Sequence, residues 1–335
     1  MKKITLLVSF LLVVFAGIAQ DIHYSQFYAS PLTLNPALTG INSCNYRVGV
    51  MYRSQWSSVS ADPYTTPSIS FDINNVLQRI VKTGTLSLGA LVLNDKAGAG
   101  DLSNLTVAGS IAYQRPLSAS RRLNLSIGIQ PGYVQKKVDF SKLTFENQFN
   151  GQTFDPTLSS QENFEDKFGY FDLNAGAYLT YDFGKKSSVF VGGSIFHIIP
   201  PKETFLNSAD NKLGMRIVGH GGVKIGVTDK LDIIPQVLYM SQSKATEINL
   251  GLSLQYFINP DVALIIGAYD RLGDAIIGMA AVEFKRVRLG FSYDVNTSSL
   301  KDVSNGNGGF ELSLSYTGCL GGFVLDKPIM FCPRY

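Results

Sequence analysis

Beyond residue 15 the sequence holds no apolar run long enough to cross a bilayer as a helix, although 45% of its 335 residues are hydrophobic. That excludes a helical membrane protein once the N-terminal leader is set aside. Charge is scarce too: charged residues make up 16% of the chain and the net charge is only +3, too little to imply nucleic acid or an anionic surface as partner. The three histidines, His23, His197 and His220, stand at no metal-ligand spacing. His220, Gly221 and Gly222 resemble an oxyanion-hole turn, but no Gly-x-Ser-x-Gly elbow accompanies them. The glycine-rich turn from Asp95 to Asp101 lacks the lysine and the helix of a phosphate loop. The expectation is a protein that is not an enzyme, with no catalytic residue, cofactor or metal.

What the chain has is alternation. Tyr46, Val48, Val50 and Tyr52 are apolar, whereas Asn45, Arg47, Gly49 and Arg53 between and around them are small or polar. Leu123, Leu125, Ile127 and Ile129 repeat the rhythm, as do Ile248, Leu250, Leu252, Leu254 and Tyr256. A two-residue period marks a strand with one apolar and one polar face, and each segment has the length of a tilted membrane strand. Fourteen strands are predicted, over 45–53, 64–72, 83–93, 102–114, 122–136, 169–182, 187–197, 213–227, 231–240, 246–257, 261–270, 274–284, 287–296 and 309–317. The long gaps 137–168, 198–212 and 297–308 fall on one side of this succession, and short turns such as Asn259–Pro260–Asp261 and Lys285–Arg286 on the other. That parity predicts an all-β, antiparallel transmembrane barrel facing outer-membrane lipid rather than a soluble sandwich. Aromatics near strand ends, among them Tyr52, Trp56, Tyr113, Tyr181, Tyr256, Phe284 and Tyr316, suit a headgroup belt.

The ends carry their own signals. Lys2 and Lys3, an apolar core from Ile4 to Phe15, then Gly17, Ile18 and Ala19 read as a signal peptide over 1–19, cut before Gln20. Residues 20–43 follow as a periplasmic or luminal segment, 44–318 as the barrel, and 319–335 as a periplasmic tail. Tyr24, Phe27 and Tyr28 are too apolar to hang in water, so the leading segment either docks a partner or packs against the barrel. Of the three cysteines, Cys319 and Cys332 are close in sequence and favour a loop in the tail, while Cys44 with Cys319, stapling the barrel seam, is the rival pairing.

Predicted inward positions carry both signs, Arg47, Arg53, Asp72, Arg216, Lys224, Glu247, Glu283, Arg288, Asp294 and Glu311, which suits either a wet channel or pairs that brace a narrow interior. The long loop from Val138 to Phe168, with Phe140, Phe145, Phe149, Phe154 and Phe164, is the candidate recognition surface. Its rival reading is an inward plug with a small core of its own.

Three stretches together resemble one family: QDIHYSQFYASPLTLNPALTG from Gln20 to Gly40, then Tyr52, Arg53, Ser54, Gln55 and Trp56, and finally Cys332, Pro333, Arg334 and Tyr335. They are similar to the PorP/SprF outer-membrane proteins of Bacteroidota, and the likeness spans the mature chain. The resemblance implies a part in type IX secretion and gliding motility, alongside other components of that apparatus. It further implies binding, export and surface anchoring of a large adhesin-like client through the client's C-terminal region. A solute-conducting porin is the alternative function.

Overall fold

Alternation becomes burial strand by strand. In the last strand but one, Val287–Asn296, residues Arg288, Gly290, Ser292, Asp294 and Asn296 are buried, while Val287, Leu289, Phe291, Tyr293 and Val295 are exposed. A computed structural model describes residues 21–320 apart from 59, 61, 78–80, 82, 156, 160–164, 185, 206–210 and 300. Its strands are β1 (Tyr46–Gln55), β2 (Tyr64–Ile73), β3 (Thr85–Ala97), β4 (Leu102–Pro116), β5 (Leu123–Lys137), β6 (Lys167–Asp182), β7 (Ser188–Phe196), β8 (Arg216–Gly226), β9 (Leu231–Gln242), β10 (Ala245–Asn259), β11 (Val262–Arg271), β12 (Ala275–Phe284), β13 (Val287–Asn296) and β14 (Asn307–Gly318). Each pairs antiparallel with its neighbours in sequence, and β1 pairs with β14 from Tyr46↔Gly318 to Gln55↔Gly309, closing a fourteen-stranded barrel. Predicted strand ends lie within four residues of those observed, the widest difference being at β3, which runs to Ala97 rather than residue 93.

The outer face is apolar all round, with Val50, Ile69, Ile111, Ile129, Val191, Ile266, Leu289 and Leu314 exposed. So continuous an apolar belt fits hydrocarbon and not water. We call the rim where β1 begins and β14 ends the near rim. The connections 138–166 and 197–215 leave the opposite, far rim, whereas the near rim carries tight turns such as 260–261 and 285–286.

The cysteine expectation is corrected. Cys44 is bonded to Cys319, not Cys319 to Cys332, because the β1–β14 register brings their Cα atoms to 4.8 Å across the seam. Proximity in space, set by barrel closure, overrides proximity in sequence. Cys332, the leader, most of the tail and Phe164 lie outside the described residues.

Candidate functional site

The lumen is occupied by the chain itself. Residues 21–45 enter at the far rim and descend to the start of β1 as a series of single turns: 3-10 turns at Phe27–Ala29 and Pro36–Leu38, and a helical turn at Pro31–Leu34. Prolines at the first position of the latter two fix φ where no backbone donor is needed, and they forbid a longer helix. Asn35 is the pivot of this segment. Its Oδ1 accepts from the amide of Ala37 at 2.9 Å, capping the second turn, while its Nδ2 donates to the carbonyls of Ala177 (3.0 Å) and Gly193 (3.3 Å) and lies 3.1 Å from Nε2 of His220. The Asn-Pro-Ala triplet thus bolts the plug to the facing strands β6, β7 and β8.

Charges on the wall hold the upper part of the plug. Glu311, fully buried on β14, accepts from the amides of Ser25 (2.6 Å) and Gln26 (2.8 Å) and pairs with Arg53 at 2.5 Å. Asp294 on β13 joins Arg53 (3.4 Å), Arg271 (3.0 Å) and the Ser25 hydroxyl (2.7 Å) in the same cluster. At the far rim the His197 ring bridges Asp172 (2.9 Å) and Asp21 (2.5 Å), and the Asp21 amide donates to Gln242. Burial opposes charge on His197, but the hydrogen bonds and charges of Asp172 and Asp21 outweigh it and hold the imidazolium up to about 9. Burial likewise opposes charge on Asp21, yet Arg216 and His197 bring its carboxyl well below the usual range. His23 is pushed down to about 3 by burial and by Arg271 and Arg53, and so sits neutral, 3.1 Å from Glu247. Near the other rim, Asp72 receives the Gly40 amide, Asn42 and Arg47.

Between these anchors the plug brings grease inside. Phe27, Leu34, Ala37, Leu38 and Ile41 share a core with inward residues of the wall, among them Tyr178, Phe190, Val218, Leu238, Ile265, Tyr269, Ile277 and Met279. Each large apolar side chain so buried contributes about 1.5–3 kcal/mol. On the opposite wall Gly128 allows backbone contact: a Cβ there would stand 2.5 Å from the Pro36 carbonyl carbon. Among the predicted inward charges, Arg47–Asp72 (2.7 Å) and Glu283–Arg288 (2.5 Å) pair with each other, and Lys224 pairs with Asp232 (3.0 Å). Mixed charge here braces a filled interior.

Above the plug, the far rim opens into a cup of about 630 Å³. Ile22 and His23 lie at its floor, with Trp56, Tyr64, Asp95, Asn104, Lys136 and Arg271 on its walls. Thr66, Asp95, Asn104 and Lys136 form one row across β2, β3, β4 and β5, because Asp95 is in register with Asn104, and Asn104 with Lys136. Trp56 stands edge-on to Tyr64 at 5.1 Å. It faces this cup and not the lipid belt that its place near a strand end predicts.

The predicted recognition residues divide into three groups. Tyr24 and Phe27 are buried in the lumen and Tyr28 packs beside Phe27, so all three serve the plug. Phe140 and Phe145 are half-buried in a small cluster with Phe205 and Phe168, where Phe205 lies 4.7 Å from Phe168 and ties the two long loops together. Phe149 and Phe154 face each other across an isolated bridge at 5.3 Å and are exposed. The long loop therefore has a core of its own, but it stands on the rim rather than plugging the lumen. Among the described residues, no group of three or more His, Cys, Asp and Glu is arranged to hold a metal ion.

Residues 16–316 match the family described as type IX secretion system membrane protein PorP/SprF. The chain belongs to this family. As a PorP/SprF protein it is an outer-membrane component of type IX secretion. No curated protein matches it. Among solved structures, the Ralstonia pickettii toluene transporter TbuX is 10% identical, with a TM-score of 0.49 over 86% of this chain and 92% of its own. The CymD monoaromatic hydrocarbon channel is 11% identical, with a TM-score of 0.48 over 91% and 95%. BamA from Haemophilus ducreyi lacking POTRA domains 1-3 is 11% identical, with a TM-score of 0.43 over 82% and 70%. Likeness this distant bears on neither substrate nor partner.

Proposed function

We propose that this PorP/SprF barrel is a non-enzymatic holder that binds, helps export and anchors a large adhesin-like surface protein through that client's C-terminal region, in the service of gliding. In this reading the far rim faces outward, the near rim and residues 319–335 face the periplasm and other secretion components, and residues 1–19 are removed as a signal peptide. The filled lumen carries the proposal: a conduit needs an open path, and here residues 21–45 pack an apolar core and buried ion pairs across it. Phe149 and Phe154, exposed on a loop braced by Phe205, offer the client a rigid aromatic surface.

The test is to isolate the tagged barrel from native outer membranes in detergent. The expected companion is a large secreted protein whose C-terminal region stays bound after limited proteolysis, and Phe149→Ala with Phe154→Ala should lose it while the barrel remains folded. A barrel recovered alone, together with steady ion conductance, would favour the porin instead.

A further inference from the structure

The cup at the far rim is built unevenly. Of the cations on its wall, Arg53 is held by Glu311, Lys136 is turned to Glu203 on the 197–215 loop, and Arg271 is held by Asp274 and Asp294. Asp95 has no such partner among the described residues, where its carboxylate receives the Thr66 hydroxyl at 2.6 Å. Next to it in register, Asn104 carries an Oδ1 that is shielded from solvent and accepts no hydrogen bond among the described residues. A shielded acceptor without a donor is unfavourable, so this row is complete only when a donor arrives. Tyr64 lies on the same face of β2 as Thr66, and Trp56 stands beside it, placing aromatic rings above the two acceptors. On the far side of the cup the Nε of Arg271, itself buried, faces the carboxylate of Glu247 at 3.6 Å.

We propose that this cup receives a guanidinium, the side chain of an arginine presented by the secreted client. A planar cation fits on every count. Its parallel N–H groups match the adjacent oxygens of Asp95 and Asn104, and its face packs against Trp56 and Tyr64. The inference rests on the anchoring reading and deepens it by naming what the client inserts.

Trp56 is the single tryptophan of the chain, so intrinsic fluorescence reports on this cup directly. The full-length barrel in detergent is titrated with N-acetyl-arginine amide and, separately, with its uncharged isostere N-acetyl-citrulline amide. Saturable change of Trp56 emission with the arginine compound, at least tenfold weaker with citrulline, is expected. Asp95→Asn should weaken arginine binding roughly tenfold or more, with the barrel's heat-modifiable gel mobility showing that it remains folded. Equal response to both compounds, no saturable response to arginine, or unchanged affinity in Asp95→Asn overturns the proposal. Client capture separates the two ideas. If native barrel holds its client and Asp95→Asn holds it equally well, the guanidinium site fails while anchoring stands; if native barrel holds no client, anchoring fails whatever the cup binds.

Discussion

Glu311→Gln should loosen the top of the plug without opening the barrel wall. The substitution keeps shape and removes charge: Arg53 loses its 2.5 Å partner, and one of the oxygens that accept from Ser25 and Gln26 becomes an amide nitrogen facing a donor. Breaking a buried ion pair costs about 3–5 kcal/mol. Because Arg53 keeps Asp294 at 3.4 Å, the lower end applies, about 3 kcal/mol. At 1.4 kcal/mol per decade, local opening of the plug becomes roughly a hundredfold more frequent. Hydrogen exchange followed by mass spectrometry reads this in peptides covering 21–30, where the Ser25 and Gln26 amides are bound by Glu311. Protection there should fall by about that factor, while peptides of β10 to β12 stay as protected as before. Unchanged exchange over 21–30, or equal loss throughout the wall, would refute the clamp.

Other perturbations follow from the same geometry. Removing the seam staple with Cys44→Ala and Cys319→Ala should cost about 2–4 kcal/mol, seen as a lower temperature for the heat-modifiable gel shift, and a shift unmoved by reduction or by the double variant would count against it. The far-rim latch depends on pH with a definite sign. His197 is raised from 6.5 to about 9, so the stability it contributes is full below 6.5 and fades as pH rises through 9. Asp21 is lowered, so its share is full above its unfolded value and fades in acid. Exchange over residues 21–24 should therefore rise, beyond the intrinsic rate, between pH 6.5 and 9, and His197→Gln should abolish that rise; a pH-independent protection factor in the native protein would contradict it. Gly128→Ala should displace Pro36 and Ala37 and expose the lower plug to added protease, with the barrel intact; full resistance would show that the approach tolerates a methyl.

The strands were legible because lipid outside and polar groups inside impose period two, and β1, β5 and β10 display it plainly. What fills the barrel was harder to read, although a signal was there. In β9, Ile233 with Ile234 and Val237 through Met240 are apolar on both faces, and in β12 Ile276 and Ile277 do the same. A wall that is apolar on its inner face as well must meet something packed within. The plug itself has no period, since prolines and single turns replace it, and its hold on the wall depends on pairings such as Ser25 with Glu311 that only closure of β1 on β14 creates. Arg271 was missed and Trp56 misplaced in the headgroup belt for local reasons: one ends a strand predicted to stop at residue 270, and the other turns from the β1 strand at a positive φ of 61°. The row of Thr66, Asp95 and Asn104 spans three strands and is visible only through register.

A closed interior is tested most directly by the ion conductance of the purified full-length barrel in a planar bilayer. With residues 21–45 seated among the buried charges and apolar side chains of the wall, the protein alone should pass no steady current. Large, long-lived openings from the unmodified protein would contradict a plugged anchor and return the barrel to the porins.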